Sequence, residues 1–178
     1  MPTYVAFLRA INLGRTRKFG KDDVQRATEA AGGVDVATYL NTGNVRLTHR
    51  ARSLARLKAA LEASYLAQTG FEVPTIVFGT AELRELTEFG LELRAEHVAG
   101  RCNYVTLYDA PPDPDAVAAV EALDLPGERC VVRGRAAYAL IDGTVGTSEL
   151  MAARELAALG RGTARTINVL RTVTDRWC

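Results

Sequence analysis

The sequence predicts an α+β fold in which one pattern of elements, β-α-β-β-α-β, occurs twice along the chain. The first observation is a near-continuous apolar run over residues 4–11, which is typical of a strand buried on both faces of a sheet. The second is a strand pattern over residues 103–108 that opens the second half of the chain. Each of these strands is followed by a helix, a hairpin, a helix and a further strand. This order predicts two ferredoxin-like units (alpha-beta plaits) in tandem, with an extra C-terminal helix.

In the first half, local signals mark where each element begins and ends. An acidic pair stands in the first turn of the predicted helix 21–31, and Gly32 and Gly33 follow it. Gly43 suits the turn of a hairpin, and Ser53 suits the N-cap of a long helix that Gly70 ends. The predicted elements, in order, are strand 4–11, helix 21–31, strands 34–40 and 45–48, helix 54–68 and strand 73–78.

In the second half, a helix that begins at Thr80 is expected to end at Gly90, and residues 91–100 are expected to be irregular. Asp113 followed by Pro114 is a typical helix start. The later elements are a helix from 114 to 123, strands 129–133 and 136–141, helix 149–159, strand 163–166 and helix 168–176. The predicted domains are residues 1–79, a connector at 80–100, and residues 101–178 with the terminal helix.

Composition excludes several classes of protein. The 178 residues are 48% hydrophobic and 24% charged, which is ordinary for a globular protein, and the apolar runs are too short to span a membrane. We see no secretory signal. Cys102, Cys130 and Cys178 share no short spacing, so we expect reduced thiols in a cytoplasmic protein. The two histidines, His49 and His97, form no metal-ligand pattern. We predict no metal site, no cofactor and no catalytic residue.

Charge is distributed unevenly along the chain. Residues 1–60 hold 11 Lys and Arg against 4 Asp and Glu, residues 61–128 hold 3 against 13, and residues 129–178 hold 8 against 4. Such a division is consistent with a surface that faces a polyanion. It is equally consistent with solvated faces of opposite sign that attract each other within the fold.

The first candidate ligand-binding residues lie where the first strand ends. Arg9 is followed by Asn12, Gly14, Arg17 and Lys18, which together form a polar, basic, glycine-bearing loop. Arginine binds phosphate and carboxylate groups through two parallel hydrogen bonds. The alternative is a solvated loop in which the glycine serves the turn.

Further candidates lie at other turns and element ends. Asn44 either presents its amide to a ligand or fixes the hairpin turn. Thr147 and Ser148, after a glycine-rich stretch, either bind an anion or cap the following helix. Arg165 and Asn168 are candidates near the last strand, although Arg165 is equally able to pair with an acidic side chain.

Four stretches of the sequence resemble the motifs of one bacterial family. They are Tyr4-Val-Ala-Phe-Leu-Arg-Ala-Ile-Asn-Leu-Gly14, Thr38-Tyr-Leu-Asn-Thr-Gly-Asn-Val45, Ile141-Asp-Gly-Thr-Val-Gly-Thr-Ser-Glu-Leu150 and Thr163-Ala-Arg-Thr-Ile-Asn168. They occur in the family's order and span nearly the whole chain. On these motifs the chain is identified as a member of the family called domain of unknown function 1697. The resemblance implies two ferredoxin-like subdomains and implies no activity.

The chain departs from the family's motifs at Arg15, Thr42, Thr147, Glu149, Thr166 and Ile167. A family function that depends on these positions is therefore in question for this protein.

The functional hypothesis is a binding protein for an anionic ligand, either a nucleic acid or a phosphorylated metabolite. Tyr104 and Tyr108 share one face of a strand and are the only hint of a surface on which RNA bases stack. The alternatives are an enzyme acting on a small phosphorylated or carboxylated substrate, and a protein–protein interaction module. The sequence leaves the oligomeric state open.

Overall fold

The computed structural model describes residues 1–14, 16–96 and 102–178. The elements are β1 Thr3–Leu8, α1 Lys21–Ala30, β2 Val34–Tyr39, β3 Asn44–Thr48, α2 Leu54–Thr69, β4 Thr75–Gly79, α3 Thr80–Glu96, β5 Cys102–Leu107, α4 Pro114–Glu121, β6 Glu128–Arg133, β7 Ala136–Ile141, a 3₁₀ turn Val145–Thr147, α5 Glu149–Ala152, α6 Arg154–Ala158, β8 Thr163–Thr166 and α7 Ile167–Trp177. None of the helices in these ranges is long and apolar enough to cross a membrane.

The chain forms two compact units, Met1–Leu83 with Asp175–Cys178, and Arg84–Thr174. Each unit contains a four-stranded antiparallel sheet, with strand order β2-β3-β1-β4 in the first and β6-β7-β5-β8 in the second. The predicted α+β fold, two tandem ferredoxin-like units with a C-terminal helix, is confirmed. The units divide within α3.

In the first unit, β1 is a central strand. It pairs with β3 and β4, with Thr3 opposite Thr48 and Leu8 opposite Thr75. Because β1 has neighbours on both sides, residues 4–8 are buried, as its apolar run predicts. The loop after Leu8 and the turn before β3 therefore lie at the same end of this sheet, where β4 begins.

Helices α1 and α2 pack on one face of this sheet. Ser53 accepts a hydrogen bond from the backbone N–H of Arg56 and caps α2, an interaction worth about 1 kcal/mol. Gly70 ends α2 with φ of 73°, a conformation that glycine adopts without strain. The hydroxyls of Thr28 and Tyr65 lie 2.9 Å apart and join the two helices inside the core. The core comprises Tyr4, Ala6, Leu8, Ile11, Phe19, Val24, Ala27, Val45, Leu47, Leu57, Leu61, Tyr65, Val73 and Val77.

In the second unit, β5 is central and pairs with β7 and β8, with Leu107 opposite both Ala136 and Thr163. Helices α4, α5 and α6 supply side chains to the core on one face of its sheet. That core comprises Tyr108, Val120, Cys130, Ala137, Ala139, Ile141, Leu150 and Leu159.

The prediction that the helix after Thr80 ends at Gly90 is wrong, since α3 continues to Glu96. A Cβ atom on residue 90 would lie 2.8 Å from both Ile167 Cδ1 and Tyr138 Cε1. Glycine is present because side chains of α7 and β7 pack against this turn of the helix. The remainder of the predicted irregular stretch, residues 97–100, lies outside the described residues, as do Arg15 and residue 101.

The predicted single helix 149–159 is in fact two short helices, α5 and α6. Ala153 separates them because its backbone is extended, with φ of −66° and ψ of 134°. An extended residue cannot continue the helical hydrogen-bond ladder, so α5 ends after one turn.

Candidate functional site

The basic loop, which we define as residues 9–21, begins with two residues in the left-handed region. Ala10 and Asn12 have φ of 56° and 55°, a conformation that costs alanine about 1–2 kcal/mol but that asparagine adopts more readily. The loop then folds back on itself: the N–H of Asn12 donates to the carbonyl of Arg17 at 2.6 Å, and Gly14 turns the chain with φ of 60°. A Cβ on residue 14 would meet no atom within 4 Å, so the glycine serves the turn.

The Asn12 side chain holds this loop together. Its Nδ2 donates to the carbonyls of Asn41 at 2.6 Å and Phe19 at 3.1 Å, and its Oδ1 accepts from the N–H of Phe19 at 3.0 Å. Both amide hydrogens and one lone pair are therefore used within the fold. Asn12 thus positions the loop, and a ligand would compete with three existing hydrogen bonds.

Arg17 anchors the loop to the segment that enters β4. Its Nε donates to the carbonyl of Ala10 at 2.9 Å, and its Nη2 donates to the carbonyl of Glu72 at 2.6 Å. The guanidinium carbon lies 4.7 Å from the centre of the Phe71 ring, which adds a cation–π contact. Two of the five guanidinium N–H groups are thereby used, so Arg17 is chiefly a positioning residue.

Arg9 and Lys18 differ from Arg17. Arg9 is half-buried and Lys18 is exposed, and neither side chain pairs with any residue that the structure describes. The backbone N–H of Arg9 donates to the carbonyl of Pro74 at 2.9 Å, which fixes where its side chain begins. Lys21, exposed at the start of α1, is a third basic residue here, and the sequence analysis did not select it. Within the part of the loop that the structure describes, these three residues carry the cations that are available to a ligand.

Asn44 is fully buried beside the loop. Its Nδ2 donates to the carbonyl of Tyr39 at 2.7 Å and to Oγ1 of Thr42 at 3.1 Å, which ties the two strands of the hairpin at their turn. The adjacent cavity, bordered by Lys21 and Asn41 among others, has a volume of about 10 Å³. Such a cavity has room for about one water molecule.

A carboxylate of the protein itself occupies the position predicted to bind an anion at Ser148. Oε2 of Glu128 accepts hydrogen bonds from the Ser148 hydroxyl and from the N–H of Leu150, each at 2.8 Å. Ser148 also caps α5 by accepting from the N–H of Met151 at 3.0 Å. Thr147 is exposed, and its hydroxyl donates to a carbonyl within the same turn.

Arg165 and Asn168 lie on successive elements, β8 and α7, and each contacts partners of its own. Nη1 of Arg165 donates to Oγ1 of Thr163 and to the carbonyl of Ala164, both at 2.8 Å. Burial of its guanidinium lowers the pKa of Arg165 to about 10. Oδ1 of the exposed Asn168 accepts from Arg94 at 2.5 Å. The predicted candidates thus fall in both units: Arg9, Asn12, Gly14, Arg17, Lys18 and Asn44 in the first, and Thr147, Ser148, Arg165 and Asn168 in the second.

The hint of a base-stacking surface at Tyr104 and Tyr108 fails at Tyr108. Tyr108 is only 5% exposed and belongs to the core beneath α4, and Tyr104 packs against that same core. Burial raises the pKa of Tyr108 to about 12, as expected for a phenol withdrawn from water. A ring in the core has no face left on which a base could stack.

One surface feature escaped the sequence analysis: a groove of about 420 Å³ between α2 and the start of β4. The only signal in the sequence was a leucine on the polar side of α2, because Leu66 falls outside the stripe formed by Leu57, Leu61 and Tyr65. The groove is lined by Glu62, Ala63, Leu66, Glu72, Val73 and Pro74.

The two sheets and their helices define an α+β protein of two ferredoxin-like units, and the basic loop lies at one end of the first sheet. A solved structure of the same fold is that of a conserved bacterial protein from Streptococcus pneumoniae, with a TM-score of 0.72 and 22% identity over 99% of this chain and 98% of that one. No curated protein matches the chain. The family model described as "Protein of unknown function (DUF1697)" matches residues 1–138, so the chain belongs to this family and the predicted membership is confirmed.

Proposed function

We propose that this protein binds nucleic acid through contacts between the basic loop and the phosphate backbone. The observation that carries the proposal is that the basic residues of the loop have different partners. Asn12 and Arg17 hold the loop backbone through hydrogen bonds. The positive charges of Arg9 and Lys18 are neutralised by no residue that the structure describes. A loop whose described part is already held by hydrogen bonds loses less conformational entropy on binding an anion than an unordered loop does.

The local charge balance supports an anionic partner. Residues 9–21 contain five basic residues and no acidic one. Of the two aspartates that follow, Asp23 pairs with Arg26 on the same helix and so contributes little negative potential to the loop. At physiological salt, where charges are screened beyond about 8 Å, it is this local balance that a ligand meets.

The shape of the surface favours a nucleic acid over a small phosphorylated metabolite. The cavity beside the loop holds about 10 Å³, whereas pockets that enclose small ligands measure about 300–1,000 Å³. An exposed loop needs no enclosure to contact successive phosphates along a strand. With Tyr108 buried, we expect binding that depends on charge and hardly on base sequence.

Fluorescence anisotropy with labelled single-stranded RNA and duplex DNA across a salt series tests the proposal. If Arg9, Lys18 and Lys21 each neutralise one phosphate, the slope of log K against log salt for duplex DNA is about −2.7, or a loss of about 40-fold between 50 and 200 mM. We expect Arg9→Gln and Lys18→Gln each to reduce that slope by about 0.9.

Arg56→Gln is the matched control, because Arg56 is exposed on the first turn of α2, at the end of the sheet where Thr48 pairs with Thr3. Equal losses from the loop variants and from this control would refute the loop as the site. Absence of binding at low salt would refute nucleic-acid binding and leave small anionic ligands, to be screened by thermal shift with inorganic phosphate as the first probe.

The enzymatic alternative would need a nucleophile or an acid–base group with a suitably shifted pKa. Burial raises the pKa of the Cys130 thiol to about 12, which keeps it protonated and weakly nucleophilic at neutral pH. The pKa of Glu155 is lowered, chiefly by its hydrogen bond from Arg154, which opposes a role as a general acid. Neither group is therefore suited to acid–base or nucleophilic catalysis at neutral pH. We also infer a cytoplasmic location, supported by cysteines that share no short spacing.

A further inference from the structure

The groove between α2 and the start of β4 is large enough for a small molecule. Its volume of about 420 Å³ lies within the usual range for ligand pockets, about 300–1,000 Å³. One wall is the C-terminal half of α2, and the other is the segment 72–74 that leads into β4. The cations of the basic loop do not line it, although Arg17 and Arg9 donate hydrogen bonds to the backbone carbonyls of Glu72 and Pro74.

The surface of the groove is largely apolar. Leu66 is 45% exposed, and Ala63 and Pro74 are also exposed, while Val73 is buried at the base. Covering such side chains removes apolar area from water, which is favourable by about 25 cal/mol per Å². A ligand with a hydrocarbon body is therefore stabilised here.

The charged groups that line the groove are both carboxylates. Oε1 of Glu62 accepts the N–H of Thr75 at 2.8 Å, which holds that carboxylate in place on the wall. The Glu72 side chain is exposed. In the described parts of the chain, neither carboxylate forms an ion pair, so both negative charges remain uncompensated beside an apolar surface.

We propose that this groove binds an organic cation with an apolar body, namely a protonated aliphatic amine. The ammonium group would lie between Glu62 and Glu72, and the hydrocarbon chain would cover Leu66 and Pro74. A carboxylate of the same length would be repelled by both glutamates, and a neutral alcohol would forgo the electrostatic attraction. The order of affinity is therefore amine, alcohol, carboxylate.

Titration of the full chain with hexylamine, hexan-1-ol and hexanoate, followed by two-dimensional amide NMR spectra, tests this order. We expect saturable shifts for hexylamine at the amides of residues 62–66 and of Glu72, Val73 and Thr75, and weaker binding as salt is raised. Glu72→Gln should weaken hexylamine binding by about two- to fivefold, an effect typical of losing one exposed charge contact.

Two further variants make the test specific. Glu62→Gln keeps an oxygen that accepts the Thr75 N–H, so it removes charge without unfolding the start of β4. Glu29→Gln, an exposed change on α1, is the control and should leave affinity unchanged. Hexan-1-ol binding as tightly as hexylamine, equal binding by wild type and Glu72→Gln, or no saturable shift would each overturn the proposal.

Discussion

Replacing Gly90 with alanine has two opposite effects on stability: it raises helix propensity, and it introduces a steric clash in the core. The structure shows which effect is larger. In an exposed helix the change would stabilise the fold by about 1 kcal/mol, because alanine loses less backbone entropy than glycine. Here the new Cβ would lie 2.8 Å from Ile167 Cδ1 and 2.8 Å from Tyr138 Cε1. Real Cβ atoms do not approach other carbons so closely, so a neighbour must move.

The Tyr138 ring has little freedom to move. It is 2% exposed, its hydroxyl donates to the carbonyl of Leu86 at 2.7 Å, and its ring packs edge-on against Phe89 with centroids 5.3 Å apart. Overpacking of this kind costs about 1–3 kcal/mol, and two simultaneous contacts against a clamped ring belong in the upper half of that range. After the gain in helix propensity is subtracted, we expect a net destabilisation of about 1–2 kcal/mol.

Hydrogen exchange measured by mass spectrometry reports this change within the unit Arg84–Thr174. Slowly exchanging amides of β7 should lose protection by about 5–30-fold in Gly90→Ala, which corresponds to 1–2 kcal/mol. Gly146→Ala is the control, because a Cβ there would meet no atom within 4 Å. Adding Ile167→Val removes Cδ1 and should restore part of the protection. Protection in Gly90→Ala equal to or above wild type would show that propensity prevails and refute the packing argument.

The other predictions concern single hydrogen bonds and pH. Asn12→Ala should lower the free energy of unfolding of the first unit by about 2–3 kcal/mol in urea denaturation. The reason is that three hydrogen bonds are lost and alanine is strained at φ of 55°. An unchanged urea midpoint would contradict the role of Asn12 in holding the loop. Glu62→Ala should cost about 1–3 kcal/mol by leaving the buried N–H of Thr75 unsatisfied, whereas Glu62→Gln should cost much less. Burial raises the folded-state pKa of Tyr65 and Cys130 to about 12, so their contribution to stability is complete below pH 9–10 and is lost as pH rises towards 12. The free energy of unfolding should therefore fall as pH rises from about 9 to 12, and it should fall less steeply in Tyr65→Phe. A free energy of unfolding that does not change with pH would argue against burial as the cause of the raised pKa values.

Most of the fold could be predicted because its signals are local. The apolar run of β1, the cap at Ser53 and the left-handed stop at Gly70 each lie within a few residues of the element they define. The failures are at positions where distant side chains decide the conformation. Gly90 reads as a helix stop in sequence, yet it is a contact point for Ile167, 77 positions further along the chain.

The sequence predicted the basic loop that we propose as the site, but not the contacts of its individual residues. The sequence indicated a basic loop after the first strand, and the structure places the loop at the sheet end where β4 begins. It did not indicate that Arg17 donates to the carbonyl of Glu72, or that Glu128 already fills the anion position at Ser148. In each pair the two residues are far apart in the sequence, and no periodic pattern in the sequence predicts that they are in contact.

Taken by itself, the sequence determined the order of elements, the tandem repeat of the unit, family membership and the basic character of the loop. All four depend on composition and on spacing between near neighbours. The tertiary structure alone decided how the cations of the loop are used: Arg17 is hydrogen-bonded within the fold, whereas Arg9 and Lys18 pair with no residue that the structure describes. It also created the groove, because α2 packs beside the segment that enters β4, so that Glu62 and Glu72, ten positions apart in the chain, line the same groove. The physical reason is that charge compensation and concavity are properties of contacts between distant segments, and these exist only once the chain has folded.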